Sequence, residues 1–399
     1  MLLTRSLPST STAVPGARRP AGSAPWRHLD LSLFLAAAAI SALGVVMVYA
    51  TTRFSLAAAG ASPTGEMKKE LIFTFVGVAA FVATVAFDYK RFLSWAPALY
   101  VASLLMLLAT FAIGRRTLGA TSWIQIGSFQ FEPSEVAKLT LVLSLAGLLA
   151  RRKGDLSGRA LLSVLGLAAI PFLLIFKQNA LGSALVLAVM LVGMLLMAGT
   201  KSRHMVVLAV VAVVGIYGVF TSGLLKPYQV SRITAFITAP AGVSPGGPAA
   251  QSSWAATVQY NLDQSKTAIA DGGIYGKGLF NGSLTNLSYV PNQSTDFIFT
   301  SVAEQFGFAG SALLLGLFLF VLWRTWRAAL RSRDLAGTLI CVGIMAMITF
   351  QVFENVGMTL GIMPVAGITL PFMSYGGSSM VVDWVAIGLV VNVGMRRLI

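Results

Sequence analysis

Charge and sulfur are scarce in this chain. Of its 399 residues only 11% are charged, against about a quarter in an ordinary soluble domain. With 56% apolar residues, too few charges remain to cover a water-facing surface. That excludes a conventional soluble enzyme and a disordered polar protein. A single cysteine, Cys341, excludes an internal disulfide and a thiolate metal cage. Two histidines, His28 and His204, exclude a His-rich metal site. Acids are the rarer charge, 14 Asp+Glu against 29 Lys+Arg, for a net +15. In a soluble protein that excess would point to nucleic acid. In a chain this apolar it is the excess that the positive-inside rule requires, and no nucleic-acid partner is expected.

What the chain has instead is long apolar runs. Residues 1–29 are small and polar, with four Arg, and read as a disordered cytoplasmic tail. Ten apolar segments follow, near Leu31–Tyr49, Leu71–Phe87, Trp95–Ile113, Glu135–Leu149, Leu161–Phe176, Leu181–Ala198, Met205–Phe220, Phe297–Leu322, Leu339–Phe353 and Gly376–Val393. The expected fold class is an all-α polytopic membrane protein, with residues 30–397 as one domain of about ten transmembrane helices. Basic residues test the count. With the N-terminus inside, 18 Lys+Arg fall on inner segments and 10 on outer ones, with Lys138 inside a span. Both termini are then cytoplasmic. The outer segment 221–296, between the seventh and eighth spans, is long enough to be functional. Its first half carries a Pro/Gly/Ser insert, and glycines punctuate its second half.

Ionisable groups within or beside spans are costly, so each is a candidate for function. Five acids qualify: Glu135, Asp296, Glu304, Glu354 and Asp383. Asp296, Thr300 and Glu304 have i, i+4, i+8 spacing, which puts them on one helical face. Asp296 is then either a general base at the mouth of a polar track or a helix cap, and spacing alone favours the cap. Glu304, about 12 Å deeper at 1.5 Å per residue, needs a buried partner or water. Glu135 and Lys138 have i, i+3 spacing and pair on one face. Either they are an internal ion pair, or Lys138 offers a cation to a phosphate. Arg115 and Arg116 add positive charge on the same side, where headgroup contact is the plain reading. Seven glycines and prolines between Gly357 and Gly377 imply broken helix at membrane depth, with a cavity favoured over mere helix packing. Ser374, Tyr375, Ser378 and Ser379 add hydroxyls there. Asp383 reads as an interhelical partner for a buried polar group.

Three motifs carry a resemblance. WIQIGSFQFEPSEVAKL, QYNLDQSKTAIADGGIYGKG with NQSTDFIFTSVAEQFGFAG, and MPVAGITLPFMSYGGSS together resemble the SEDS family of multispan proteins, RodA, FtsW and their sporulation relatives. YQVSRITAFI resembles the family's segment at the start of the large loop. The likeness covers roughly residues 30–397. It implies a peptidoglycan glycosyltransferase that polymerises lipid II in the bacterial inner membrane, with its active site facing outward. It implies Asp296 as the catalytic base. Glu135, Lys138, Arg115, Arg116, Glu304, Gln264, Ser265, Lys277, Ser374 and Tyr375 are the supporting or substrate-binding residues. No tightly bound cofactor is implied, though a divalent cation, Mg2+ or Mn2+, is compatible with diphosphate departure.

The implied partner is a class B penicillin-binding protein, within an elongation or division complex. The ENVGMTLGIMPVAGITLPF segment favours a RodA-like elongation role. Competing readings are a lipid II flippase and a non-catalytic scaffold for a transpeptidase. Departures from the family pattern are Glu132, where Gln is usual, Ser122, where a basic residue is common, and KQNALGSAL in place of a Pro-Asp pattern. The insert at 239–253 is specific to this chain.

Overall fold

The computed structural model describes residues 29–117, 120–127, 129–152, 157–221 and 253–396. The N-terminal tail, the start of the large loop, Arg232 and the 239–253 insert lie outside them. Ten apolar helices lie where the runs predict them: α1 (Leu31–Ala58), α2 (Gly65–Ala86), α3 (Tyr89–Ile113), α4 (Pro133–Arg151), α5 (Gly158–Lys177), α6 (Leu181–Met197), α7 (Ser202–Thr221), α10 (Ile298–Leu330), α11 (Leu335–Leu360) and α12 (Gly377–Met395). Between them lie α8 (Ser253–Gly272) and the short α9 (Ser283–Asn286). Eight of the ten are long and apolar enough to cross a membrane, and the other two are shorter apolar helices. The chain is a multi-pass membrane protein.

Two features depart from a plain bundle. First, β1 (Arg115–Thr117), β2 (Ala120–Ile126) and β3 (Phe129–Phe131) form a small antiparallel sheet just before α4. The motif expected to open the fourth span thus begins as a hairpin, turning at Gly127 with φ 61°. Pro133 then starts the helix, at a first-turn position where its missing N–H costs nothing. Second, α2 begins at Gly65 rather than Leu71, which brings Glu66, Lys69 and Glu70 onto the helix.

α4, α11 and α12 are the enclosed centre, while the other membrane helices leave a lipid-facing side. α12 packs along α2, and α11 packs against α4, α6 and α10. α7 shows valines on every side, among them Val206, Val207, Val210, Val211, Val213 and Val214, as a helix bathed in lipid does. Aspartates cap the helices at one end of the bundle. Asp30 accepts from the Leu33 amide of α1, Asp88 from Lys90 of α3, and Asp334 from Gly337 of α11. Asp30 also holds Arg324 of α10 at 2.5 Å, tying the first span to the eighth.

At the opposite end the backbone leaves the helix. α10 is broken at Gly307, which has φ 66° and ψ −163°. Only glycine adopts that conformation at no steric cost. The break frees carbonyls that the loop after α8 uses: Lys277 N–H donates to Glu304 O and Gly278 N–H to Gln305 O, both at 3.0 Å. In return Phe308 N–H donates to Gly273 O at 2.9 Å. The eighth span, near Phe297–Leu322 in the sequence, is thus a broken helix, because the glycine exchanges helix bonds for loop bonds. Residues 361–376, between α11 and α12, are non-helical throughout and dip against α1. There a Cβ on Gly44 would stand 2.7 Å from Met373 Cα and 2.8 Å from Phe372 O.

That contact is backbone on both sides, so Gly44→Ala must displace the re-entrant segment, at a cost of about 1–3 kcal/mol. Thermal melting in detergent should show a lowered midpoint for Gly44→Ala. Gly215→Ala on α7, where a Cβ meets nothing within 4 Å, should melt like the unaltered protein.

Candidate active site

The non-helical segments enclose a cavity of about 340 Å³. Its walls come from the N-terminal turns of α2, the β2–β3 hairpin, the turn before α10, and the re-entrant segment running into α12. Asp296 lines it, half-buried, in the turn ahead of α10. The helix cap is Phe297 and no side chain caps it, so Asp296 is not the capping residue that its spacing suggested. Its main chain is fixed by Asn355 of α11, whose Nδ2 donates to Asp296 O at 2.9 Å and to Ile368 O at 2.7 Å. One buried amide therefore joins the turn carrying Asp296 to the re-entrant wall.

Ser374 and Tyr375 lock the same two segments together. Ser374 Oγ donates to Thr295 O at 2.6 Å, and Tyr375 N–H donates to Ser294 O at 2.8 Å. The Tyr375 side chain lines the cavity; Ser374 is enclosed behind it. Aromatic rings of Phe73, Trp123 and Phe129 and hydroxyls of Thr295, Ser378 and Ser379 complete a wall suited to a sugar: apolar faces with polar groups between.

Other expected site residues are placed elsewhere. Glu304 does not support Asp296. Its carboxylate accepts from the Leu284 amide at 2.7 Å, the Thr285 amide at 2.9 Å and the Thr285 hydroxyl. It anchors α9, and so holds the large loop. Ser265 is buried, hydrogen-bonded to Thr300 Oγ1 at 2.6 Å and to Thr359 O at 2.9 Å, which joins α8 to α10 and α11. Gln264, on the same helix, is not among the cavity residues. Lys277 pairs with Asp271 at 2.9 Å in the loop, and that hydrogen bond holds the Asp271 carboxyl below its usual range.

Glu135 and Lys138 form the expected ion pair, at 2.6 Å, with the lysine side chain wholly enclosed. Neither lines the cavity; of the two readings of Lys138, the structure forms the internal ion pair. Arg115 and Arg116 lie on β1, and their side chains fall outside the described part. Asp383 accepts from the Phe372 amide at 3.1 Å. Its interhelical role is thus to hold re-entrant backbone. Among the described residues no group of three His, Cys, Asp or Glu converges to hold a metal ion.

Three charged cavity residues escaped the sequence reading. Glu66 and Lys69 were assigned to a loop because the apolar run begins at Leu71. The i, i+3 spacing of Glu66 and Lys69 is the available signal, and the pair stands 3.2 Å apart. Glu132 was noted only as a departure. It flanks Asp296 across the cavity and accepts from Ser134 Oγ at 2.6 Å. Burial pushes its carboxyl up to about 7, and the negative charge of Glu135 adds to the rise.

The FtsW/RodA/SpoVE profile, described as cell cycle protein, matches residues 30–398. The chain is 33% identical over 368 residues to stage V sporulation protein E of Bacillus subtilis (strain 168), covering 91% of this chain and 96% of that one. It is 30% identical to a probable peptidoglycan glycosyltransferase FtsW of Geobacter sp. (strain M18), covering 92% and 97%. Its fold is similar, with TM-score 0.74 and 30% identity over 93% of this chain and 98% of the other, to a chain solved in a peptidoglycan synthase complex that coordinates polymerization and crosslinking. Ten apolar helices, the re-entrant wall and the loop aspartate thus sit in one matched span, and the chain belongs to the FtsW/RodA/SpoVE family.

Proposed function

We propose that this protein is a peptidoglycan glycosyltransferase that polymerises lipid II, with Asp296 as the catalytic base. The observation that carries this is the position of Asp296 in the wall of a sugar-sized, partly aromatic cavity at one end of a membrane bundle. A relative named as such an enzyme, matching nearly the whole chain, supports it. In this reading the cavity faces outward from the bacterial inner membrane, and both termini are cytoplasmic. The Asp296 carboxylate takes the proton from the 4-hydroxyl of a lipid II GlcNAc. The freed oxygen attacks the anomeric carbon of the growing strand. The bond from that carbon to the diphosphate oxygen breaks, and the polyprenyl diphosphate leaves with the electron pair. The α linkage becomes β, so the centre inverts. Asn355 acts through the Asp296 main chain as a positioning residue.

The partner in this reading is a class B penicillin-binding protein that crosslinks the new strands, which the synthase complex matched in fold supports. In this reading the role is elongation, which the RodA-like ENVGMTLGIMPVAGITLPF segment supports, so a fluorescently tagged copy should mark the lateral wall rather than the septum.

Asp296→Asn keeps the shape of the side chain and removes the base. In a reconstituted assay with its partner it should lose glycan polymer by at least about a hundredfold, while melting like the unaltered protein. Full polymer from Asp296→Asn would end this assignment; lipid II scrambling without polymer from the unaltered protein would favour a flippase.

Glu132 supplies a pH signature. Its carboxyl stands at about 7 in the folded protein against 4.5 unfolded. The folded state therefore holds more protons between those values, and stability declines as pH rises from about 5 to about 7. Above that range an extra negative charge stands in a cavity that receives a diphosphate. The KM for lipid II should rise between pH 6 and 8, and Glu132→Gln should flatten both that rise and the decline in melting temperature.

A further inference from the structure

The departing diphosphate has no assigned partner in the cavity. Three acids line it, Glu66, Glu132 and Asp296. Glu66 and Asp296 repel a diphosphate, Glu132 joins them as pH rises past about 7, and these interactions are stronger in a half-buried site than in water. Among the described residues one basic side chain lines the same space, Lys69. It lies in the second turn of α2, is one-third exposed at 33%, and holds Glu66 at 3.2 Å. An ammonium has three N–H donors. Glu66 takes one, and no other acceptor among the described residues engages the rest.

Lys138 cannot fill this role, because its side chain is wholly enclosed and bound to Glu135. The opposite wall is also favourable to an anion. Gly377, Ser378 and Ser379, the first turn of α12, line the cavity, and no side chain caps that helix. Its free amides and positive dipole end face the same volume as Lys69. Lys69 and Asp296 thus border one cavity as an anion binder and a base, the two groups that an inverting transfer from a diphosphate requires.

We propose that Lys69 binds the diphosphate of the polyprenyl-linked substrate, with Glu66 holding its ammonium in position. This rests on reading the cavity as the site of glycosyl transfer, but it concerns binding and not proton transfer, so the two separate experimentally.

The test uses the full chain in lipid nanodiscs, with undecaprenyl diphosphate and the uncharged undecaprenol as probes. Lys69→Ala should weaken undecaprenyl diphosphate binding by about ten- to a hundredfold, the worth of a hydrogen bond to a charged group. Lys69→Arg, which keeps the charge, should stay within a few-fold of the unaltered protein. Undecaprenol should bind all three alike, which separates loss of the diphosphate contact from misfolding. Asp296→Asn, which removes one repelling charge, should bind undecaprenyl diphosphate at least as tightly while making no polymer. Unchanged diphosphate binding by Lys69→Ala overturns the proposal, as does an equal loss of undecaprenol. Polymer formation by Asp296→Asn instead overturns the base and leaves the Lys69 result standing.

Discussion

Backbone that is not helical must find hydrogen-bond partners inside a bilayer, and this cavity depends on buried side chains that supply them. Asn355 joins the carbonyls of Asp296 and Ile368. Asp383 takes the Phe372 amide, Glu70 takes the Gly376 amide, and Ser374 serves both Leu370 and Thr295. Glu304 does the same for the first amides of α9. Each of these groups is enclosed, where an unmet backbone amide costs about 1–3 kcal/mol. Together they hold two irregular segments open against the pressure to close into ordinary helix.

Six of the 14 acids fall into two groups around the cavity. Glu70, Glu304 and Asp383 are spent on backbone, while Glu66, Glu132 and Asp296 face the cavity. Glu135 belongs to neither: it compensates Lys138, whose uncompensated burial would be far more costly than the pair. Asp383, on α12, grips the re-entrant wall at the Phe372 amide.

The membrane architecture was legible because its cause is local: apolar runs and basic loops need no tertiary information. All ten runs became helices, and the Gly/Pro-dense segment after Gly357 became cavity wall. What stayed hidden depends on which groups meet in space. Asp296, Thr300 and Glu304 have helical spacing, yet the helix starts only at Ile298, so Asp296 leaves their common face. Glu304 looked like support for the base because its partner, α9, is a short turn within a long loop that no periodicity marks. Lys69 was invisible because an apolar run locates the middle of a helix and not its first two turns, which here begin at Gly65. The sheet before α4 escaped notice because its strands are short and read as the entrance to a span.

Packing beneath the cavity bears on enzyme against transporter. Alternating access needs a site that opens in turn to both sides, by rocking or gating of helices around it. Here the floor is formed by Phe372, Met373 and Trp384, all buried to 1% exposure or less. Trp384 meets Phe34, Phe81 and Phe372 at centroid distances of 5.5, 5.7 and 5.8 Å. α2 presses so close that a Cβ on Gly77 would stand 2.6 Å from the indole. On the other side Gly44 of α1 lies against the main chain of Phe372 and Met373. To pass a disaccharide headgroup through this floor, α1, α2 and α12 would have to part along their most closely packed contacts. A cavity open at one end over a floor of that density suits a reaction at the surface, with the lipid tail left in the bilayer.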